Sequence, residues 1–170
     1  GIQTPDGKTV AGLVVSRRRD NAKVIVDLGG GWGGDAYGHL KENGIATVGY
    51  MGVKPSDRRT IDRQLKFFNK RTEAYWRFRE ALDPSQAGGS PIMLPPDPAM
   101  VADLTAPTFT VEAGGIKVEA KDKVCARLGR STDRGDAVVM CWLDGLKVAS
   151  VQGGFRANSR TSAKVVMRRP

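Results

Sequence analysis

The segment KVIVDLGGGWGGD, residues 23–35, constrains the fold more than any other part of this 170-residue chain. Val24, Ile25 and Val26 form a β-branched apolar run closed by glycines, the signature of a strand. The run does not alternate with polar residues, which predicts burial on both faces, as in a parallel or mixed sheet. The glycines turn the chain into a helix from about Asp35 to Glu42, ended by Asn43-Gly44. IATVGYMGV, 45–53, reads as the next strand. Residues 23–50 are therefore a β-α-β crossover, and the class is α/β.

Elsewhere the local signals are of mixed strength. Residues 4–22 read either as a strand, Val10 to Ser16, or as a helix entered after Pro5 and Asp6, with Val10, Leu13 and Val14 at helical spacing. Ile61, Leu65, Phe68, Tyr75, Phe78 and Leu82 share one face of a long helix stopped by Asp83-Pro84. SQAGGSPIMLPPDP is a surface loop, and a short helix covers 99–105. TFTVEAGGIKVEAK alternates on either side of Ala113-Gly114-Gly115 and reads as a hairpin. KDKVCARLG is a short helix with Gly129 beyond its end, and STDRGDAVVMCWL opens the last strong helix. From about residue 150 the chain turns basic, small and polar, as a flexible tail would.

Charge narrows the partners. The chain carries +9 net, and residues 54–79 hold nine basic and three acidic side chains, while residues 156–170 hold five basic and no acidic ones. Two separate basic clusters point to a polyanion, nucleic acid above all, against the plainer reading of a solvated helix face. Arg58, Arg59, Arg63, Lys66, Lys70 and Arg71 lie mostly off the apolar stripe and are placed to meet phosphates. Tyr75 and Phe78 lie on that stripe, so core packing is expected of them rather than stacking on bases. No apolar run is long enough to cross a bilayer, and the N-terminus shows no secretory pattern. With His39 as the one histidine and only Cys125 and Cys141, zinc sites and histidine-based triads have too few ligands.

Three carboxylates stand out. Asp27 ends an otherwise apolar strand, where open α/β sheets bind ligands. A metal ion or an arginine would balance it, and a salt-bridged or capping aspartate is the structural alternative. Asp133 and Asp136 sit at i, i+3 at the start of the last helix. Asp133 suits the helix dipole. Asp136 shares its stripe with Val139, Met140 and Leu143 and so faces inward. Carboxylates at a strand end and a helix start are the donors Mg²⁺ and Mn²⁺ prefer. Gly29, Gly31 and Gly34 also match G-x-G-x-x-G, a nucleotide-cofactor pattern. Against it, Asp27 would repel a pyrophosphate, and no acid closes the next strand. The glycines serve more simply to let a backbone, metal or phosphate approach closely.

The order VDLGGGWGGDAYGHLKENGI, FFNKRTEAYWRFREAL, SPIMLPPDP and IKVEAKDKVCARLGRSTDRGDAVVM resembles the nuclease domain of tailed-bacteriophage terminase large subunits, over about residues 5–143. The Asn-x-Arg helix, the hairpin followed by K-D-x-V and the closing R-S-x-D-x-x-D-A are its most specific parts. The resemblance implies an RNase H-like mixed sheet flanked by helices and a helix over residues 5–19. It also implies an endonuclease that cuts concatemeric viral DNA during packaging, using two Mg²⁺ or Mn²⁺ ions. Two of the family's three metal-holding acids fall on Asp27 and Asp136, with Asp133 beside the latter, while Thr132 stands where the pattern has proline. The first three strands and their aspartate should precede residue 1, so the implied organisation is a partial nuclease domain over 1–149 and a basic tail over 150–170. Double-stranded DNA, the portal protein and the terminase small subunit are the implied partners, in the host cytoplasm and without a membrane. A DNA-gripping module that does not cut is the alternative.

Overall fold

In a computed structural model, described for residues 4–86 and 88–145, side-chain caps fix where three of the helices begin. Helix α1 (Gly7–Arg17) starts at Asp6, whose carboxylate accepts the Thr9 amide at 2.7 Å. That settles the helix reading of this segment over the strand. Strand β1 (Val24–Asp27) leads through the glycine loop to α2 (Gly34–Glu42), which ends at Asn43 with Gly44 at φ 68°. Strand β2 (Thr47–Tyr50) then pairs with β1 in parallel, Val24 opposite Thr47 and Asp27 opposite Tyr50. The crossover read from the sequence is therefore present. Asp35 ties it to α1 by accepting the Gly7 amide at 2.8 Å.

Helix α3 (Lys70–Leu82) begins well after Ile61, where its apolar periodicity starts. Asn69 caps it, accepting the Thr72 amide at 2.8 Å. The preceding residues make a turn instead, because short polar side chains take the amides a helix would use. Asp62 accepts the Gln64 amide, Thr60 accepts that of Leu65, and Arg59 bridges Lys66 across the turn. Ile61 and Phe68, expected in the core, are more than half exposed, whereas Phe67 is buried and bridges Ile116.

Helix α4 (Pro98–Thr105), capped by Asp97, precedes the hairpin of β3 (Phe109–Glu112) and β4 (Gly115–Val118). These strands are antiparallel around Ala113-Gly114. Helix α5 (Lys121–Leu128) ends at left-handed Gly129, and α6 (Asp133–Met140) runs into a π-helical turn, Cys141–Gly145. The core lies where α3 meets α6: Ala74, Tyr75, Phe78 and Val139 are buried together, with Leu104, Val118 and Leu143 against them.

Two sheet expectations change. The described strands form two separate two-stranded sheets, one parallel and one antiparallel, rather than one mixed sheet. Strand β1 is half-buried rather than covered on both faces, and its only strand partner among the described residues is β2. No helix among those residues is long and apolar enough to cross a membrane. The basic tail expected from about residue 150, and the boundary before it, lie outside the described residues.

Candidate active site at the start of helix 6

Thr132, immediately before α6, is buried where a short helix would normally meet water, and this arranges the site. Thr132 is fully buried and Asp136 has 13 % of its side chain exposed. A buried carboxylate needs every lone pair answered. Here Tyr75 donates its hydroxyl to Asp136 Oδ1 at 2.6 Å, and Thr132 donates to Oδ2 at 2.9 Å. The Lys121 ammonium, from the first turn of α5, reaches the same Oδ2 at 2.9 Å. Its Nζ also lies 3.1 Å from Oδ1 of Asp133, which is 73 % exposed. The Asp133 carboxylate accepts the Ser131 hydroxyl as well. Thr132 thus contributes a hydrogen bond that a proline at this position would have no means to make.

The electrostatics follow from this packing. Burial, reinforced by the adjacent Asp136 charge and hydrogen bond, drives the Tyr75 phenol far above the ordinary tyrosine range. The Ser131 hydroxyl and then Lys121 hold the Asp133 carboxyl below its usual range. Burial alone would lower Lys121, but its bonds to Asp136 and Asp133 outweigh that, leaving its pKa raised.

Tyr75 therefore provides a clean test of the geometry. A phenol whose folded pKa exceeds its unfolded value of about 10 contributes stability below that pH and loses it as pH rises toward the folded value. In a spectrophotometric alkaline titration, one of the chain's three tyrosines is expected to stay protonated until the protein unfolds. Ionisation of all three near pH 10 with the fold intact would contradict this arrangement.

Arg71 completes the site from α3. Its guanidinium lies over the Tyr75 ring, 4.7 Å from the centroid, with Nη2 3.9 Å from Asp136 Oδ1. Another of its nitrogens donates to the Glu119 carbonyl. Only 16 % of the side chain is exposed, so Arg71 is largely buried, where the sequence reading expects a surface cation. The reason is that Asp136, a distant residue in the chain, draws it inward. Lys70 and Arg58 are partly committed too, at 3.0 and 3.4 Å from the buried carboxylate of Glu73. Arg58, Arg59, Arg63 and Lys66 remain exposed.

Asp27 stands apart from the Asp133–Asp136 pair. It is exposed, and its Oδ1 accepts the Gly29 amide at 2.8 Å, bracing the glycine loop. Contacts still connect it with the same end of the molecule. Its register partner Tyr50 has its ring against Gly52, and the Gly52 carbonyl accepts the Arg71 amide at 2.9 Å. Among the described residues, however, no three His, Cys, Asp or Glu side chains gather around one position for a metal ion. Asp133 and Asp136 already grip one cationic group between them, the Lys121 ammonium. They do not form a two-ion site with Asp27 where it lies.

The sequence reading places Asp136 inward and at the helix start, and it is there. It does not identify Lys121 or Tyr75 as partners of that carboxylate. Lys121 opens the K-D-x-V motif, which is the available signal; the role of Tyr75 follows only from the packing of α3 on α6. The glycine loop does permit a close backbone approach, since a Cβ on Gly33 would fall 2.1 Å from the Asp27 carbonyl oxygen.

No family model and no curated protein matches the sequence. Solved structures do match the fold. The nuclease domain of the large terminase subunit gp2 of bacterial virus Sf6 is 18% identical, with a TM-score of 0.56, over 79% of this chain and 70% of that one. A lysine-to-alanine mutant of that domain with manganese gives the same figures. The same mutant with manganese and beta-thujaplicinol gives 19% identity and a TM-score of 0.55 over the same shares. The chain thus has the RNase H-like α/β fold of a terminase nuclease domain.

Proposed function

We propose that this chain is a metal-dependent endonuclease domain of a phage packaging terminase, acting on concatemeric double-stranded DNA with Mg²⁺ or Mn²⁺. The observation that carries the reading is the Asp133–Lys121–Asp136 bridge, a cationic position built from two carboxylates on a nuclease fold. Asp133 and Asp136 would hold the ion, and two-ion hydrolysis would further require Asp27 as a ligand. A bound divalent ion supplies an activated water and stabilises charge on the phosphate. The chain's own groups do the positioning. Tyr75 and Thr132 fix the Asp136 carboxylate, and Arg71 adds positive charge beside it. Arg58, Arg59, Arg63 and Lys66 offer exposed cations for the DNA backbone. A portal protein, a terminase small subunit and the host cytoplasm belong to the same reading.

One observation favours the alternative, a DNA-gripping module that does not cut. Lys121 already occupies the position between both carboxylates, and Asp27 is not gathered with them. Supercoiled plasmid with Mn²⁺ separates the two. Nicking that disappears in Asp136→Asn and in Asp27→Asn supports the endonuclease; binding without metal-dependent nicking leaves the gripping module.

Both readings share a prediction about salt. Duplex affinity is expected to fall linearly on a log–log plot against salt, because neutralised phosphates release counterions. Substituting Arg59, Arg63 or Lys66 by glutamine should reduce that slope by about 0.9 for each phosphate left without its cation. Lys70→Gln should change it less, given the tie to Glu73. Binding that is indifferent to salt would remove DNA as the partner.

A further inference from the structure

We propose that Trp32 is a base-stacking residue, its indole taking a nucleobase displaced from the helical stack beside the ends of β1 and β2. The inference rests on the DNA reading above and adds both a residue and a substrate class, locally opened DNA.

Trp32 is 94 % exposed, whereas Trp76 packs edge-on against Phe109 and Trp142 against Phe78. Large aromatic rings gain much from burial, so an indole this exposed is the least satisfied aromatic ring among the described residues. The loop that carries it is pinned on both sides. Before the ring, Asp27 holds the Gly29 amide, and Gly30 and Gly31 adopt φ of 81° and 84°, conformations a side chain would disfavour. After it, Gly33 lies against the Asp27 carbonyl with no room for a Cβ. The backbone geometry therefore projects the ring outward.

What would cover such a ring follows from its surroundings. Strands β1 and β2 are parallel and in register, so the Trp32 loop and the loop after Tyr50 leave the same edge. The second loop carries Lys54, Arg58 and Arg59, all exposed. A flat neutral π-face on the same edge as cations suits a group that is planar at one end and anionic at the other, which describes a nucleotide. Intact duplex hides its base faces in the stack, so single-stranded or opened DNA is the form that offers one.

The test uses the full chain and its tryptophan emission, with a short oligothymidylate and a duplex closed at both ends as probes. The oligothymidylate is expected to quench emission, and Trp32→Ala to abolish that quench while weakening binding about 10-fold. Trp32→Phe should retain most of the affinity, and Trp32→Lys should not recover it, since stacking rather than charge is lost. The closed duplex should bind without quenching Trp32. Unchanged affinity and quenching in Trp32→Ala would overturn the stacking role and leave DNA binding intact. Quenching by the closed duplex equal to that by the single strand would overturn the preference for opened DNA. Absence of binding by the wild-type chain to either probe would overturn both this inference and the reading beneath it.

Discussion

Asp136→Ala is expected to lower the free energy of unfolding by about 3 kcal/mol, as removal of one partner from a buried charged cluster typically does. The cost does not come mainly from Lys121, which is 39 % exposed and free to turn toward water. It comes from Tyr75 and Arg71. The Tyr75 hydroxyl would lose its acceptor at a position only 9 % exposed. Among the described residues, Arg71 Nε and Nη2 are buried without a hydrogen-bond partner, so the nearby Asp136 charge is what offsets their burial. Asp133→Ala, at a carboxylate 73 % exposed, is expected to cost less than about 0.5 kcal/mol. Denaturant unfolding of the two variants side by side checks the ranking; equal effects would refute it. In Asp136→Ala, moreover, the Tyr75 phenol should ionise at lower pH, because one of the causes of its raised pKa is removed.

Asp103→Ala is expected to destabilise the fold by about 2–4 kcal/mol, although it lies outside the site itself. Asp103 is fully buried, accepts the Gly135 amide at 3.2 Å and pairs with Arg130. It thereby fastens the first turn of α6 to α4, which is what sets the position of Asp136. Removing the carboxylate leaves a buried amide unanswered, while Arg130, 43 % exposed, can reach solvent. Gly135→Ala provides an independent check on the same packing, since its Cβ would come within 2.7 Å of the Asp103 Cβ. Both variants should unfold at lower denaturant concentration than the wild type. If either is neutral, α6 is not anchored through Asp103.

The sequence by itself determined those elements whose signals are local. The run Val24–Val26, the turn at Ala113-Gly114, the left-handed Gly129 and the inward stripe of Asp136, Val139 and Leu143 all depend on neighbours within a few residues. Each is present. Where two local signals compete, periodicity misleads: the apolar spacing extends α3 back to Ile61, but Asn69 is a cap and the residues before it answer their own amides. What only the tertiary structure decided is the partnering of charges. Arg71 reads as one more surface cation until α6 brings Asp136 beside it, and Lys121 reads as a helix-start lysine until it bridges two carboxylates. Asp103 gives no sign in the sequence that it will be buried. Hydrogen-bonded caps and side-chain periodicity are fixed over one or two turns of chain, so a linear reading contains them. The burial of an ionisable group depends on which distant segment folds over it, and the free energy that pairs Tyr75 with Asp136 exists only once α3 and α6 have met.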